Sequence, residues 1–187
     1  MVPSARPAKG TAMSTTTDIL IAAGGFVALA AAAPMLLPSS ARVTRRAVVA
    51  AQPAAVYEMV SGNAGFQRFN PWRDTDPNLE IALSGPASGV GSAFAFSGRD
   101  GSGTQTIVAV EDNRRVESVI DMGPMGKPTL TFELAPVSGG TEVTWRMDSR
   151  FGFNPMGRVF GLVMDRVLGP VAERGLKNLD RTLGGTA

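Results

Sequence analysis

Hydrophobic and polar positions follow two different periods along residues 42–183, and the change between them divides the domain. Over residues 43–50 the chain alternates. Val43, Arg45, Ala47 and Val49 share one side, and Thr44, Arg46, Val48 and Ala50 share the other, which predicts a first strand. Gln52-Pro53 ends it, and Pro53 suits the opening of a short helix running to about Val60. Gly62, Asn63 and Gly65 interrupt that helix, and a second helical turn at 66–69 leads into Asn70-Pro71-Trp72. Strands are then expected at 79–83, 92–97, 104–110 and 115–121, separated by glycine-rich or polar turns. Residues 129–135 and 141–148 form the clearest hairpin, joined through Ser138-Gly139-Gly140. Leu130, Phe132 and Leu134 share one face of its first strand, and Val143, Trp145 and Met147 share one face of its second.

After Pro155 the period lengthens. Phe160, Met164, Val167, Leu168, Val171, Ala172, Leu176, Leu179 and Leu183 recur at three- and four-residue intervals, which predicts one amphipathic helix with a single buried stripe. Asn154 is placed to cap it, Pro155 suits its first position, and Gly184-Gly185 stops it. Gly169-Pro170 is expected to kink this helix in the middle. The order is strand, two short helices, a run of antiparallel strands and a terminal helix. It predicts an α+β domain: a curved antiparallel sheet of six to seven strands, its apolar face covered by the long helix. A curled sheet of this kind retains space for a cavity on its concave side.

Residues 19–37, ILIAAGGFVALAAAAPMLL, carry no charge, and their length approaches the roughly 20 residues a bilayer-spanning helix needs. The domain division expected from this is a disordered tail at 1–17, a transmembrane or signal segment at 18–38, and a folded domain at 42–184. A membrane anchor is the leading expectation for 19–37. A secretory signal cut after Ser39-Ser40-Ala41 is the second, and a tail outside any membrane is the third. Arg6 and Lys9 precede the segment and Arg42, Arg45 and Arg46 follow it, a bias that leans towards a cytoplasmic domain.

Charge and composition narrow the chemistry. Eighteen basic residues against sixteen acidic ones leave a formal net charge of only +2, and the longest basic runs are Arg45-Arg46 and Arg114-Arg115. Nothing here provides the field that a phosphate backbone requires, so nucleic acid is not an expected partner. The chain has no cysteine and no histidine. Disulfides, thiolate or Ser-His-Asp nucleophiles and the usual zinc sites are thereby excluded. Catalysis would have to run on carboxylates, Lys, Arg, ordered water or Tyr57, the one tyrosine. The Gly85–Gly91 stretch enters a strand and not a helix, which removes it as a phosphate-binding loop.

The order of elements and several local sequences resemble the START-like, Bet v 1-like superfamily, also called polyketide cyclase/lipid-transport (SRPBCC) domains. The matching pieces are Val43-Thr44-Arg45-Arg46-Ala47, Pro53-Ala54-Ala55-Val56-Tyr57, Phe69-Asn70-Pro71-Trp72, Gly85-Pro86-Ala87-Ser88-Gly89-Val90-Gly91 and Gly140-Thr141-Glu142-Val143-Thr144-Trp145. The terminal helix completes the set, so the resemblance covers nearly all of residues 42–183. It implies a helix-grip fold around a hydrophobic cavity that holds lipids, sterols, polyketides or other apolar molecules. It supplies no universal catalytic motif to transfer, and no cofactor or metal is expected. A hydrophobic leader before the first strand is similar to a subset of bacterial members, which implies the inner or plasma membrane of a bacterium.

The expected cavity residues are Tyr57, Phe69 and Trp72 from the first helices and the turn after them, and Phe94 and Phe96 from one strand. Phe132, Trp145 and Met147 come from the hairpin, and Phe160 and Met164 from the terminal helix. Each has a plainer alternative. Trp72 is either a lid at the cavity mouth or packing beneath the short helices. Tyr57 either points its hydroxyl inward or is an ordinary helix-face residue. The methionines are either an adaptable ligand wall or core. The leading functional expectation is membrane-tethered binding of a small hydrophobic or amphipathic ligand in an internal cavity. The alternative is a cyclase, dehydratase or hydrolase-like enzyme working without histidine.

Overall fold

The alternation at residues 43–50 is the centre of a longer strand, β1 (Ser40–Val49), in a computed structural model that describes residues 19, 21 and 33–185. Helices α1 (Pro53–Val60) and α2 (Asn63–Phe69) follow. Then come β2 (Glu80–Ser84), β3 (Ala93–Gly98), β4 (Gly101–Glu111), β5 (Arg115–Asp121), β6 (Thr129–Val137) and β7 (Gly140–Arg150). Two helices close the chain, α3 (Pro155–Gly161) and α4 (Met164–Thr182).

All seven strands join one antiparallel sheet in the order β1-β7-β6-β5-β4-β3-β2. The strands from β2 to β7 form a meander, and β1 returns to pair with β7, so β1 and β2 are the two edges. The register sets Val43 opposite Met147 and Phe132 opposite Trp145, which aligns the apolar set of each strand on one face. A bulge between Ile107 and Ala109 interrupts the β4–β5 ladder. The sheet curves around α4, giving the helix-grip architecture, and α4 buries Met164, Ala172, Leu176 and Leu179 against it. Each such leucine contributes about 1.5–3 kcal/mol by leaving water.

The terminal helix differs from its expected form. The chain breaks at Leu162–Val163 into α3 and α4, whereas Gly169 and Pro170 lie inside α4. Pro170 is exposed, as is Arg166, whose carbonyl loses its helical partner to the proline, so water can take that bond.

The membrane reading of residues 19–37 is overturned. Among the described residues no helix is long and apolar enough to cross a membrane. The end of the segment instead folds as a short 3₁₀ helix, Ala33–Leu36, closed by Leu37 N–H donating to the Pro34 carbonyl at 3.1 Å. Arg158 of α3 holds it to the domain by donating to the carbonyls of Met35 and Leu37. The membrane tether, the membrane partner and the membrane-anchored localisation fall with that span. Residue 20 and residues 22–32 lie outside the described residues, as does the expected tail at 1–17.

Candidate functional site: the apolar interior beneath the C-terminal helix

Gly175 brings α4 onto the sheet. A Cβ at this position would collide with the indole of Trp145 and sit 3.2 Å from Pro71 Cγ. The bare backbone therefore lies directly on the ring. Trp72 closes the same region from the turn after α2. Its N–H donates to Asn70 Oδ1 at 3.0 Å, and its carbonyl accepts from the N–H groups of Thr75 and Asp76 at 3.1 and 2.9 Å. Its ring centroid stands 6.3 Å from that of Trp145.

Between these elements lies an apolar void lined by Val43, Trp72, Trp145, Met147, Leu168, Val171 and Ala172, with a volume of about 10 Å³. That is about the space of one water molecule, far below the roughly 300–1,000 Å³ of a small-molecule pocket. The expectation of a ligand-sized cavity open beneath the helix is thus corrected. The space is occupied by aromatic side chains. Phe66 from α2 meets Phe69 edge-on at 5.1 Å, stacks on Phe94 at 5.8 Å, and reaches Trp145 at 6.2 Å. Phe132 and Trp145 meet edge-on at 4.8 Å. Such pairs favour a tightly filled interior beyond the area they bury.

The residues expected from sequence divide by position. Trp72, Trp145 and Met147 line the void, and Phe69, Phe94 and Phe132 fill the interior beside it. Phe96 is half-buried and leans on Phe94 at 6.1 Å. Met164 is buried in the core. Phe160 lies apart, 44% exposed on α3. Tyr57 is half-buried on α1, and its hydroxyl donates to Asp112 Oδ1 at 3.0 Å at the domain surface. Burial first, and Asp112 second, push its phenol above the ordinary tyrosine value.

Sequence reasoning placed Leu168 and Val171 in the buried stripe of the terminal helix but not among the cavity residues, and it did not single out Phe66 or the role of Arg45. The last had a visible signal, because Arg45 shares a strand side with Val43, Ala47 and Val49. Its guanidinium reaches α4 instead of solvent. Nη1 lies 2.8 Å from Asp165 Oδ1 and Nε 2.7 Å from Glu173 Oε1, across the position where a side chain at Gly169 would stand. The two carboxylates hold the guanidinium more firmly protonated, while Arg45 lowers the Asp165 pKa. The glycines at 169 and 175, unfavourable inside a helix by propensity, were the second signal.

A shallow groove of about 130 Å³ opens at another place, where Asn63 and Ser92 meet the turn at Gly85 and Pro86. Asn63 donates from its backbone N and from Nδ2 to Ser92 Oγ, at 3.3 and 3.4 Å. Among the described residues no three carboxylates gather in a way that could hold a metal ion.

A seven-stranded antiparallel sheet gripping one C-terminal helix over an apolar interior defines a helix-grip domain. The chain belongs to the family described as "Polyketide cyclase / dehydrase and lipid transport", whose pattern it matches over residues 40–184. No curated protein matches the chain. Among solved structures, a protein of Chromobacterium violaceum is similar at 17% identity and a TM-score of 0.55, covering 78% of this chain and 97% of that one. The Aha1 dimer of Colwellia psychrerythraea is similar at 19% identity and a TM-score of 0.54, covering 78% and 98%. Norcoclaurine synthase of Thalictrum flavum, in complex with dopamine and hydroxybenzaldehyde, is similar at 12% identity and a TM-score of 0.58, covering 77% and 86%. At these identities the likeness is one of fold.

Proposed function

We propose that this domain binds a small hydrophobic ligand between α4 and the sheet, by widening the void at Trp72, Trp145 and Met147. The observation that carries the reading is the lining itself. Every side chain around the void is apolar, and one wall, Trp72, comes from a turn and not from a helix or strand. A ligand entering there gains roughly 25 cal/mol for each Å² of apolar surface withdrawn from water. An empty pocket forfeits dispersion contacts, so closure in the unliganded state is the physical expectation. Membership of a family whose description includes lipid transport supports the same reading.

Trp72 and Trp145 are the only tryptophans in the chain, so tryptophan fluorescence, excited where the lone Tyr57 does not absorb, reports on this region alone. Titration with a panel of fatty acids, sterols and aromatic polyketides is expected to give a saturable, one-to-one change that Trp72→Phe alters. Native mass spectrometry of the protein from its own host is expected to show a co-purifying apolar molecule. A flat titration across the panel together with an unliganded mass would sink the reading.

A second reading, cyclase- or dehydratase-like chemistry without histidine, is favoured by the family's description and by the Tyr57–Asp112 pair. A phenol with a raised pKa stays protonated at neutral pH, so Tyr57 would act there by donating a hydrogen bond and not as a base. The test is turnover of a linear poly-β-ketone. Cyclised or dehydrated product that Tyr57→Phe abolishes while ligand binding persists supports it, and no turnover by the native protein ends it.

A further inference from the structure

Two polar side chains interrupt the apolar face of the sheet that α4 covers. Gln105 on β4 is 4% exposed, and Ser118 on β5 is 3% exposed. The register sets Gln105 between Phe94 and Ile120, and Ser118 between Ile107 and Leu130. The two are therefore diagonal neighbours on adjacent strands, within reach of one small group. Among the described residues, neither side chain makes a hydrogen bond. Space the size of a water molecule still adjoins the polar atoms of both, so the packing does not seal them. A carboxamide and a hydroxyl withdrawn from bulk water without a protein partner cost stability. Convergent polar groups on an apolar wall are also what orients a ligand.

Their position relates them to the void beneath α4. Met147 lines that void, and Leu130 and Ser118 follow it in one cross-strand row. Strand spacing puts Ser118 about 10 Å from Met147, and Gln105, one strand further, about 14 Å away. Phe66 touches rings at both ends of this path, Phe94 beside Gln105 and Trp145 beside the void. We propose that Gln105 and Ser118 receive the polar end of the ligand whose apolar body occupies the widened void, and that this end is an uncharged carbonyl or hydroxyl. The assignment rests on the binding reading above and names the ligand's class. A carboxamide and a hydroxyl each donate and accept, so either group suits them. Among the described residues no charged side chain shares this face on β3–β6. An ionised carboxylate would lose its water there without gaining a cation. The inward-facing Arg45 lies on β1, at the edge of the sheet, where Asp165 and Glu173 already hold it.

Four ten-carbon probes test this: 2-decanone, 1-decanol, decane and decanoate, each titrated against the full chain by tryptophan fluorescence. Gln105→Leu is expected to weaken 2-decanone and 1-decanol by about tenfold, the loss of one hydrogen bond, and to leave decane unchanged. Decanoate is expected to bind the native protein more weakly than 2-decanone. An equal loss for decane, an unchanged ketone, or decanoate as the tightest probe would overturn the head-group assignment while the pocket stands. Failure of all four to bind the native protein would remove the pocket and this assignment together. A second measurement needs no ligand. Because the carboxamide bonds to nothing in the unliganded domain, Gln105→Leu is expected to unfold in urea with an equilibrium constant equal to the parent's or lower. A rise, or a chain that does not fold, would show that Gln105 serves the fold and would overturn the proposal.

Discussion

The indole of Trp145 rests on the backbone of Gly175, in the space where any side chain at that position would stand. Trp145 is only 1% exposed and is hemmed in by Phe66, Phe69, Phe132 and Trp72, so it has no free direction in which to yield. Gly175→Ala is therefore expected to destabilise the domain by about 1–3 kcal/mol through overpacking. Helix propensity alone would favour alanine by about 1 kcal/mol. Urea unfolding gives the sign directly, and a stabilised variant would show that α4 does not press on the ring.

Phe66 is the plug of the interior. Removing its ring by Phe66→Ala is expected to cost about 3–5 kcal/mol and to leave a cavity next to the apolar void. Calorimetry with benzene or a similar small apolar probe is expected to detect tighter binding in the variant, where the space is already open, than in the parent, where the void must first widen. A variant that loses stability yet stays dry and unoccupied would mean that the neighbouring aromatics collapse into the space.

The Arg45–Asp165 pair gives acid stability a definite sign. Its hydrogen bond to Arg45 holds the Asp165 carboxyl below the ordinary value, against a smaller opposing effect of burial. In the unfolded chain the same group takes up its proton at about pH 3.9. Below that value the unfolded state binds more protons, so stability falls as pH falls. The contribution is whole above the ordinary carboxylate pKa and disappears as pH drops through the lowered one. The gap in urea stability between the native protein and Asp165→Asn is expected to be constant from neutrality to about pH 5 and to close at lower pH. Added salt should narrow the gap at neutral pH, since Asp165 is exposed.

Tyr57 is the one phenol in the chain, so its titration is readable by absorbance without assignment. The midpoint is expected above the ordinary value of about 10. Asp112→Asn should bring it down only partway, because burial is the larger cause. In the folded state the proton is retained where the unfolded state has lost it, so this group favours folding below the ordinary pKa. That contribution fades as pH rises through the raised one. A midpoint in Asp112→Asn equal to that of free tyrosine would assign the whole effect to the carboxylate.

Much of the architecture was legible because it rests on local pattern. The period-two runs at residues 129–135 and 141–148 lie within β6 and β7, and the period change after Pro155 marks the helical end of the chain. The closing of the interior was not legible. Phe66 lies in a short helical turn whose sequence carries no sign of which ring it meets, and contact with Phe94 and Trp145 exists only once α2 is folded over the sheet. Phe160 shows a different failure. The three-to-four-residue spacing puts it in register with Met164, but the break at Leu162–Val163 resets the helical phase, leaving Phe160 exposed and Met164 buried. The 19–37 segment satisfies a hydropathy rule, yet its last residues take a tight 3₁₀ turn anchored by Arg158, a contact from 121 residues away.

The return of β1 to the far side of β7 has a kinetic consequence. Arg42 and Asp148 pair across 106 residues, whereas the ladders from β2 to β7 join neighbours in the chain. Closing so long a loop costs entropy before any contact compensates it, and folds rich in such pairings assemble slowly. The meander can zip hairpin by hairpin while β1 and α4 wait on its last strand. During synthesis the first strand therefore emerges without a partner, an unpaired edge that stays available to other chains until β7 has been made.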